Sequence, residues 1–437
     1  MQGSFNRRNF LKGAAAGVGF WVADRYSRGA EGSSPSDKLN VAVVGITGRG
    51  GGNINEMQSE AKDLFNLVAL CDVDDHFLAS VGPRFPKAKQ YNDYRKMLEQ
   101  KDIDAVLCAT ADHAHAWVTL AALRSGRHVY CEKPLAHSVE EVRLVTETAR
   151  REKKVTQMGT QIHAQNNYRR VVELIQSGAI GPVNEVHVFI DKSWGADRPV
   201  REGVPVPPNL HWEQWLCASP DRPYSPDYLP FTWRKYWAFG EGTIGDMACH
   251  FVDLPNWALG LTRPTKISAE GPQVHPEWCP QWLIVHYDFP ARGEQPPVKL
   301  SWYDGGKRPA PLKELGLDHW KNGVLFIGEK GQLISDYGKH ELLPKDKFKD
   351  FKPPAQSIAP SVGHHREWIL ACMKNAPTAP LCNFSYSGPL TESVLLGAVA
   401  YRTGQEITWD AQNLAVTNTP KAEQFIKLKY REGWSLT

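Results

Sequence analysis

The amino-acid sequence predicts an α/β protein whose first half is a doubly wound parallel sheet. Two observations carry this prediction. From residue 39 to residue 159, short continuous apolar runs alternate with segments of helical periodicity, and a glycine-rich turn follows the first run directly. Continuous apolar strands that alternate with helices are typical of a parallel sheet covered by helices on both faces.

The strands and helices of this sheet are predicted in chain order. The predicted strands are Leu39–Val44, Leu67–Cys71, Ala105–Ala109, His128–Cys131 and Thr156–Gly159. One helix is predicted over 116–125, where Gly126 stops it. A second is predicted to begin at Ser138, because Glu141 follows at the spacing of a capping box.

Length and charge limit the class of protein. The chain has 437 residues, enough for two or three domains with substantial cores. It carries 51 Lys and Arg against 48 Asp and Glu, a formal charge of +3. That small excess excludes a nucleic-acid binder that works by bulk electrostatics, which would be far more basic. The 15 tryptophans fit either a large core or an aromatic binding surface.

The N-terminus predicts an export signal. Arg7 and Arg8 precede an apolar run over residues 13–23, which is too short to span a bilayer and resembles the apolar region of a twin-arginine signal peptide. We expect residues 1–32 to be this signal. The mature protein is then expected to be periplasmic or otherwise exported, with no membrane span. A basic, irregular start before a buried helix is the alternative.

The eight cysteines predict free, buried thiols. None forms a C-x-x-C pair, and their spacing is unlike that of zinc ligands, so we expect no metal ion. A protein exported by the twin-arginine route folds first in the reducing cytoplasm, where disulfides are rare.

The glycine-rich turn predicts a dinucleotide site. Gly45 and Gly50 match the first and third glycines of G-x-G-x-x-G, whereas Thr47 stands at the second position with Gly48 beside it. Glycines let the backbone approach a pyrophosphate at a helix N-terminus. Asp72 ends the second strand, where an acid binds ribose hydroxyls and repels the 2′-phosphate of NADP. NAD is therefore the predicted cofactor, with NADP less favoured. Tight packing alone would also explain the glycines.

Several motifs further along the chain are specific in combination. They are Tyr-Cys-Glu-Lys-Pro-Leu at 130–135, Asp-His-Ala-His at 112–115, Gly-Arg-His-Val at 126–129, Gly-Thr-Gln at 159–161, Ser-Gly-Ala-Ile-Gly at 177–181 and Gly-Thr-Ile-Gly-Asp-Met-Ala-Cys-His at 242–250. With them the sequence resembles the Gfo/Idh/MocA oxidoreductases, the relatives of glucose–fructose oxidoreductase and inositol dehydrogenase. The export signal and the Trp- and Pro-rich segment 205–240 resemble an exported subgroup.

The resemblance implies two domains after the signal. Residues 38–160 are expected to form a Rossmann NAD(P)-binding domain. Residues 161–437 are expected to form an α+β domain with a large, mostly antiparallel open sheet, which binds substrate and carries a homodimer or homotetramer contact on its outer face. Strand patterns agree with this at 183–191, 282–288, 298–303, 323–327 and 332–336. Helices are predicted over 364–374 and 390–401, with Pro389 near the start of the second, and are expected to pack back on the first domain.

Lys133 is predicted to take part in proton transfer. It lies just beyond the carboxyl end of a strand, where open α/β sheets bind ligands. Oxidation of an alcohol needs a base that takes the hydroxyl proton as the hydride leaves for nicotinamide. The resemblance implies that this lysine binds substrate and assists proton transfer. A solvated loop lysine is the alternative.

Asp246 and His250 are four residues apart and share one face of a helix. The resemblance places a substrate-binding acid at Asp246 and the general base at His250. A capping aspartate and a core histidine are the alternative. The pair lacks an evident third partner for a metal, because Asp253 would need to reach inward.

The remaining predicted contacts surround these groups. The cofactor set is Gly45, Thr47, Gly48, Arg49, Gly50, Asp72, Thr110, His113, His115, Glu132, Lys133 and Gln161. The substrate set is Lys133, Trp194, Trp233, Arg234, Asp246 and His250. His113 and His115 rest on the resemblance, and exposed histidines at a helix start are the alternative. The segment 212–237 is too rich in proline for regular structure, and either stacks on sugars or clamps domains or subunits.

These observations predict an exported NAD(P)-dependent oxidoreductase that acts on a sugar, a sugar derivative or a cyclitol. NAD is scarce in the periplasm, so the cofactor is expected to be bound before export and held tightly. A tightly held cofactor is also compatible with an NAD-dependent glycosidase, which oxidises its substrate transiently, eliminates the aglycone and then returns the hydride. A non-catalytic sugar-binding protein that retains NAD is the third hypothesis, and the intact Lys133, Asp246 and His250 argue against it.

Overall fold

The computed structural model describes residues 38–436. The expected signal at residues 1–32 lies outside the described residues. Two sheets organise the described chain: a six-stranded parallel sheet and then a nine-stranded, mostly antiparallel sheet. The predicted fold class, a doubly wound parallel sheet followed by a large antiparallel sheet, is confirmed. Across residues 38–436, no helix has both the length and the apolar character needed to cross a bilayer.

The parallel sheet has the strand order β3-β2-β1-β4-β5-β6. Its strands are β1 (Leu39–Val44), β2 (Phe65–Cys71), β3 (Lys89–Tyr91), β4 (Ala105–Cys108), β5 (His128–Cys131) and β6 (Thr156–Met158). Its helices are α1 (Arg49–Ala61), α2 (Asp75–Val81), α3 (Tyr94–Met97), α4 (Asp112–Arg124) and α5 (Val139–Arg151). The order reverses between β1 and β4, and ligands of such sheets bind beyond the carboxyl ends of the strands at this point.

Local chemistry explains most of these elements. β1 and β4 are buried along almost their whole length, which is why they read as continuous apolar runs. At the start of α5, Ser138 accepts from the N–H of Glu141 while the Glu141 carboxylate accepts from the N–H of Ser138, so the predicted capping box is confirmed. β3 was not predicted, because its three residues are polar or half-exposed at the sheet edge.

The second sheet has the order β13-β12-β11-β7-β10-β9-β8-β14-β15. Its strands are β7 (Val183–Phe189), β8 (Lys266–Glu270), β9 (Ile284–Phe289), β10 (Val298–Tyr303), β11 (Gly323–Gly328), β12 (Gly331–Ser335), β13 (His340–Leu343), β14 (Ile407–Asp410) and β15 (Ala415–Val416). Only the β7–β10 pair is parallel among these described strands. Burial alternates along β9 and β10, as the sequence pattern predicts for strands with one covered face.

The helices of the second half are mostly short. They are α6 (Asn166–Gln176), α7 (Trp212–Leu216), α8 (Cys249–Phe251), α9 (Asp253–Leu259), α10 (Ala310–Glu314), α11 (Lys345–Phe348), α12 (His364–Met373), α13 (Phe384–Thr403) and α14 (Glu423–Ile426). α12 packs on α1 and α13 packs on α5, so both late helices lie against the parallel-sheet unit.

Two predicted boundaries are corrected. α13 begins at Phe384 rather than at residue 390 and contains Pro389. The side chain of Asn383 caps it by accepting from the N–H groups of Ser385 and Tyr386, so the helix starts one and a half turns before the proline. The segment 212–237 was predicted to lack regular structure, yet it holds α7, because no proline occurs between residues 209 and 219.

All eight cysteines are buried and free, as predicted. Cys71, Cys108 and Cys131 end three parallel strands, where each behaves as a small apolar side chain.

Candidate active site

A cavity of about 950 Å³ lies beyond the carboxyl ends of the parallel strands. Most of the predicted site residues line it. They are Gly45, Thr47, Gly48, Arg49, Asp72, Thr110, His113, His115, Glu132, Lys133, Gln161, Trp233, Arg234, Asp246 and His250. Gly50 and Trp194 are not among the lining residues, but Gly50 lies close to the carbonyl oxygen of Gly45 and Trp194 donates to Asp246.

The turn between β1 and α1 is a cradle that only glycine fits. Gly45 has φ +79°, and a Cβ there would stand 2.5 Å from the carbonyl oxygen of Ala109. A Cβ on Gly50 would stand 1.8 Å from the carbonyl oxygen of Gly45. Gly48 has φ +54° beside Thr47, so it supplies the freedom that the second position of the motif lacks. The cradle fits a dinucleotide pyrophosphate, which binds N–H groups at a helix start.

Asp72 stands directly after β2. Its Oδ2 accepts from the N–H of Ile46 in the cradle at 3.0 Å, and its Oδ1 accepts from the N–H of Asp74 at 3.1 Å. Burial raises the pKa of this carboxyl to about 6 against the effect of those backbone bonds. The group is therefore ionised at neutral pH and lies where a ribose would meet it.

Glu132 is the centre of a polar cluster at the next strand ends. Its Oε1 accepts from the side chains of Asn53 at 2.9 Å and Gln161 at 2.8 Å. The Nε of Arg49 lies 3.4 Å from the same oxygen. The other oxygen, Oε2, is buried without a partner among the described residues. Three predicted cofactor residues thus meet here, with one buried acceptor still open.

Asp246 gathers three cations and an indole. Its Oδ1 accepts from the Nζ of Lys133 at 2.7 Å and the Nε of Arg234 at 3.2 Å. Its Oδ2 accepts from the Nζ of Lys192 at 2.8 Å and the Nε1 of Trp194 at 2.6 Å. Burial opposes ionisation of Asp246, but the three cations outweigh it and hold its pKa well below the ordinary value.

This arrangement gives Asp246 a positioning role, because both of its oxygens accept from two donors each and hold the cations that face the cavity. The expected binding of substrate by Asp246 stays a prediction. Lys133 is held especially firmly, because it also donates to the backbone oxygen of Asp246 at 2.6 Å.

His250 lies on the same helical segment as Asp246. A π-helix over Ile244–Ala248 leads into α8, and one-turn π segments often occur at functional sites. The Nδ1 of His250 is buried with no partner among the described residues. Burial, with help from nearby Lys133, lowers its pKa to about 3, so the imidazole is neutral. A neutral ring with an open nitrogen can accept a hydrogen bond from a substrate hydroxyl.

Both ring nitrogens of His115 face backbone carbonyls, whereas His113 engages only its Nε2 and leaves its Nδ1 buried without a partner among residues 38–436. The Nε2 of His113 lies 2.8 Å from the carbonyl oxygen of Trp215. The Nδ1 of His115 lies 2.6 Å from the carbonyl oxygen of Pro134, and its Nε2 lies 3.1 Å from that of Thr110. Burial lowers the pKa of both rings to about 4. Their predicted contact with the cofactor stays a prediction, and His115 in addition holds the loop that carries Lys133 through the carbonyl of Pro134.

Two residues of the site were missed from sequence. Asp112, at the first position of α4, is buried in the wall, and burial raises its pKa to about 7. Asp112 belongs to the motif at 112–115, in which only the two histidines were predicted to contact ligand. Lys192 follows β7 by three residues in an irregular stretch, and no motif marks it. Only the fold brings Lys192 to Asp246.

A segment of the second half covers the cavity. We call residues 207–234 the roof segment. It lines the cavity from Pro207 to Arg234, and the Arg234 guanidinium lies 4.1 Å from the ring centroid of buried Trp233. Phe231 is 50% exposed, and its ring would stand 3.1 Å from a Cβ on Gly48, so it lies over the glycine cradle.

The roof segment is joined to the loop after β2. The N–H of Asp75 donates to the carbonyl of Asn209 at 2.9 Å, and the N–H of His211 donates to the carbonyl of Val73 at 2.9 Å. The side-chain amide of Asn209 also donates to the carboxylate of Asp74 at 2.7 Å. The cavity is thus closed over the side where Asp72 stands.

The possible metal ligands of the site are engaged elsewhere. Asp253 does not reach inward: it pairs with His163 at 2.9 Å and accepts from Tyr386 at 2.7 Å. Ligand atoms of Cys108, His115 and Cys131 lie within 4.8 Å of one another. Both ring nitrogens of His115 face backbone carbonyls, so this cluster does not offer a metal an imidazole lone pair.

A parallel sheet with a glycine cradle, whose Lys133 meets Asp246 from the following sheet domain in one cavity, is typical of dinucleotide-dependent oxidoreductases. A family model described as "Oxidoreductase family, NAD-binding Rossmann fold" matches residues 39–160. A second, "Oxidoreductase family, C-terminal alpha/beta domain", matches residues 167–294. Together these matches cover more than half of the chain. The protein belongs to the Gfo/Idh/MocA oxidoreductase family.

Several relatives have names that describe their activity. An inositol 2-dehydrogenase of Salmonella typhimurium is 31% identical over 151 residues, which are 34% of this chain and 45% of the relative. A levoglucosan dehydrogenase of Pseudarthrobacter phenanthrenivorans is 26% identical over 239 residues, 51% of each chain. A glycosyl hydrolase family 109 protein of Shewanella baltica is 28% identical over 203 residues, 41% of this chain and 44% of the relative. The chain thus spans about half the length of the curated relatives it matches.

Solved structures share the fold. A levoglucosan dehydrogenase in complex with NADH and levoglucosan superposes with a TM-score of 0.59 at 16% identity, over 85% of this chain and 99% of that one.

Proposed function

We propose that the protein is an NAD-dependent oxidoreductase that removes a hydride from a hydroxyl-bearing carbon of a sugar, a sugar derivative or a cyclitol. The observation that carries this proposal is the meeting of Lys133, Asp246 and His250 in one cavity with the glycine cradle. The names of the inositol and levoglucosan dehydrogenase relatives support the substrate class.

The residues present fit NAD. The cradle at Gly45 and Gly50 would hold the pyrophosphate, and Asp72 would bind the ribose hydroxyls of the adenosine half. Glu132 and Gln161, with the open Oε2 of Glu132, stand where the nicotinamide half belongs. When bound, NAD supplies the hydride acceptor. An ionised Asp72 disfavours NADP, because its charge repels the 2′-phosphate.

The chain's own groups move the proton. Asp246 holds the Nζ of Lys133 in place through two oxygens, so the amine faces the cavity in a fixed position. Once Lys133 has released its own proton, its neutral amine takes the hydroxyl proton of the substrate, and neutral His250 accepts a hydrogen bond from the same substrate. Asp112 lies in the same wall and can bind a proton near neutral pH, so it offers the next site for it.

A test uses the purified full-length protein with added NAD. We would follow the absorbance of reduced nicotinamide while adding cyclitols, free sugars and glycosides one at a time. Lys133→Met is expected to lower kcat by about 100-fold or more while NADH binding persists. Lys313→Met, at an exposed lysine outside the cavity, is the matched control. Absence of reduction with every compound of these classes would contradict the proposal.

A redox-neutral glycosidase is the second candidate. The roof segment, which closes the cavity above the cradle, favours it because a retained cofactor must be reoxidised in the same site. The name of the Shewanella relative also supports it. Release of aglycone without lasting nicotinamide reduction would support this activity. If neither release nor reduction occurs with wild-type protein, and Lys133→Met binds sugars as tightly as wild type, a non-catalytic sugar-binding protein remains.

We also propose export, assembly and a domain division. Arg7 and Arg8 with the apolar run after them support a twin-arginine signal over residues 1–32 and a periplasmic or exported mature enzyme. Arg7→Lys with Arg8→Lys is expected to retain the protein in the cytoplasm, measured by cell fractionation.

We propose domains at 38–160 and 161–437. We also propose a homodimer or homotetramer through the open sheet, which light scattering would test.

A further inference from the structure

The part of the cavity around Asp246 holds more positive charge than the Asp246 carboxylate neutralises. Lys133, Lys192 and Arg234 each form a salt bridge with Asp246, and within residues 38–436 none of the three forms one with another acid. One carboxylate therefore faces three cations. When Lys133 acts as the base and is neutral, an excess of one positive charge remains on Lys192 and Arg234.

Neighbouring acids do not supply the missing charge. The Glu132 carboxylate is engaged by Arg49, Asn53 and Gln161. Asp112 makes no salt bridge in the described chain, and burial raises its pKa to about 7, so it is only partly ionised at neutral pH.

The free hydrogen-bonding groups of these cations are all donors. A lysine ammonium has three N–H groups and a guanidinium has five. Lys192 uses two of its donors, on Asp246 and on the sulfur of Met247. Arg234 uses its Nε on Asp246 and one Nη1 hydrogen on the carbonyl of Phe231. No further bond of theirs occurs among residues 38–436, so one N–H of Lys192 and three of Arg234 remain.

Burial makes an unpaired donor group costly. The side chain of Lys192 is 41% exposed, but that of Arg234, at the end of the roof segment, is only 18% exposed. A charge in such a water-poor site is stabilised best by a fixed counter-charge that also accepts its hydrogen bonds. A neutral hydroxyl accepts a bond but supplies no counter-charge.

We propose that the substrate carries a carboxylate and that Arg234 and Lys192 bind it. The substrate is then an acidic sugar: a uronic acid, an aldonic acid or a glycoside of one. A carboxylate only accepts hydrogen bonds, and its two oxygens match the planar fork of a guanidinium. Its single negative charge equals the excess that remains when Lys133 is neutral. This inference rests on the proposed function, because it names the substrate of that site.

The test compares matched ligands on the NADH-loaded enzyme. Calorimetry would measure binding of hexuronic acids, their methyl esters and the corresponding neutral hexoses, and turnover would be measured with NAD. We expect the acids to bind about 10- to 100-fold more tightly than ester or hexose, the range for a hydrogen-bonded charge. Arg234→Gln and Lys192→Gln are each expected to lower the ratio of acid to hexose affinity, mainly through KM, while Lys313→Gln leaves it unchanged.

The outcomes separate this inference from the proposed function. Equal affinity or turnover for acids and hexoses overturns the carboxylate while the oxidoreductase stands. Tighter binding of hexose 6-phosphates than of uronic acids overturns it in favour of a phosphorylated sugar. Failure of every sugar to bind or to reduce NAD overturns both. Because the wild-type comparison of acid with ester needs no variant, a poorly folded variant does not decide the result.

Discussion

Among the single residues of the described site, Asp246 forms salt bridges with the most cations, namely three. Four donors from three different parts of the chain donate to its two oxygens. Within residues 38–436 it is the carboxylate with which Lys133, Lys192 and Arg234 all form their salt bridges, so the positions of these three cations depend on it.

Asp246→Asn tests that dependence. The asparagine side chain keeps the shape of aspartate but has no charge, and its NH2 group replaces one acceptor oxygen with a donor. Without the negative charge between them, Lys133 and Lys192 repel each other. We expect kcat/KM to fall by about 100-fold or more, because a buried charge loses its partner. NADH affinity, measured by fluorescence, should change little. Asp350→Asn at an exposed site is the control. Wild-type kinetics in Asp246→Asn would refute the positioning role.

Asp72 gives a prediction in pH. Burial holds its pKa at about 6, above the ordinary value, so the group is ionised above that pH and protonated below it. The ratio of NAD to NADP affinity should therefore be high at about pH 8 and fall about tenfold towards pH 5. Asp72→Ser should flatten this profile, and exposed Asp102→Ser should not. A pH-independent ratio in wild type would contradict the assignment.

Site residues that belong to a sequence motif could be predicted, and site residues outside any motif could not. Lys133, Asp246 and His250 stood in recognisable stretches, and the fold brings them into one cavity. Lys192 lies in an irregular stretch, and its partner is 54 positions away along the chain. Nothing local encodes such a contact. The contacts of the His113 Nε2 and the His115 Nδ1 with backbone carbonyls likewise leave no mark in a sequence.

At the level of elements, the glycine cradle between β1 and α1 leaves no room for a side chain on Gly50. Gly50→Ala would place a Cβ 1.8 Å from the carbonyl oxygen of Gly45, so β1 and α1 must separate. We expect loss of detectable NAD binding and a free energy of unfolding lower by about 1–3 kcal/mol. Thermal unfolding with and without NAD would measure both effects.

Gly52→Ala is the matched control for that substitution. It lies in the same helix, and its nearest neighbour is the flexible end of Arg49 at 3.3 Å. Because alanine favours helix over glycine, we expect unchanged or slightly raised stability. Equal loss of NAD binding in both variants would show that the helix surface, and not the cradle, binds the cofactor.

Strands with uniform burial were predictable, and elements set by local caps or edges were not. β1, β4 and β5 read as apolar runs because both sides are covered. β3 is three exposed or half-exposed residues and carries no pattern. The start of α13 depends on the Asn383 side chain, which outweighs the usual inference from a proline.

For the whole molecule, the roof segment is the feature that joins the two sheets across the site. Its backbone bonds at Asn209 and His211 reach the loop beside Asp72. We expect a cofactor beneath it to leave when these bonds open. We therefore expect NAD to remain bound through purification and gel filtration.

Asn209→Ala with His211→Ala tests this retention. The double variant removes the side-chain bonds to Asp74 and Asp75 while the backbone bonds stay. Since each net hydrogen bond contributes about 1 kcal/mol, we expect NAD release to accelerate about 10-fold or more. Stopped-flow displacement would measure it, and Asn413→Ala on an exposed turn is the control. An unchanged release rate would exclude the roof segment as the barrier.

The position of β7 has a consequence for synthesis on the ribosome. β7 is flanked by β10 and β11, whose residues follow it by more than a hundred positions. Until residues 298–328 emerge, both edges of this apolar strand lack their partners. Contacts of such long sequence separation form slowly, and unpaired edges attract other chains. Nascent chains that stall before residue 298 should therefore be the species that aggregate or recruit chaperones.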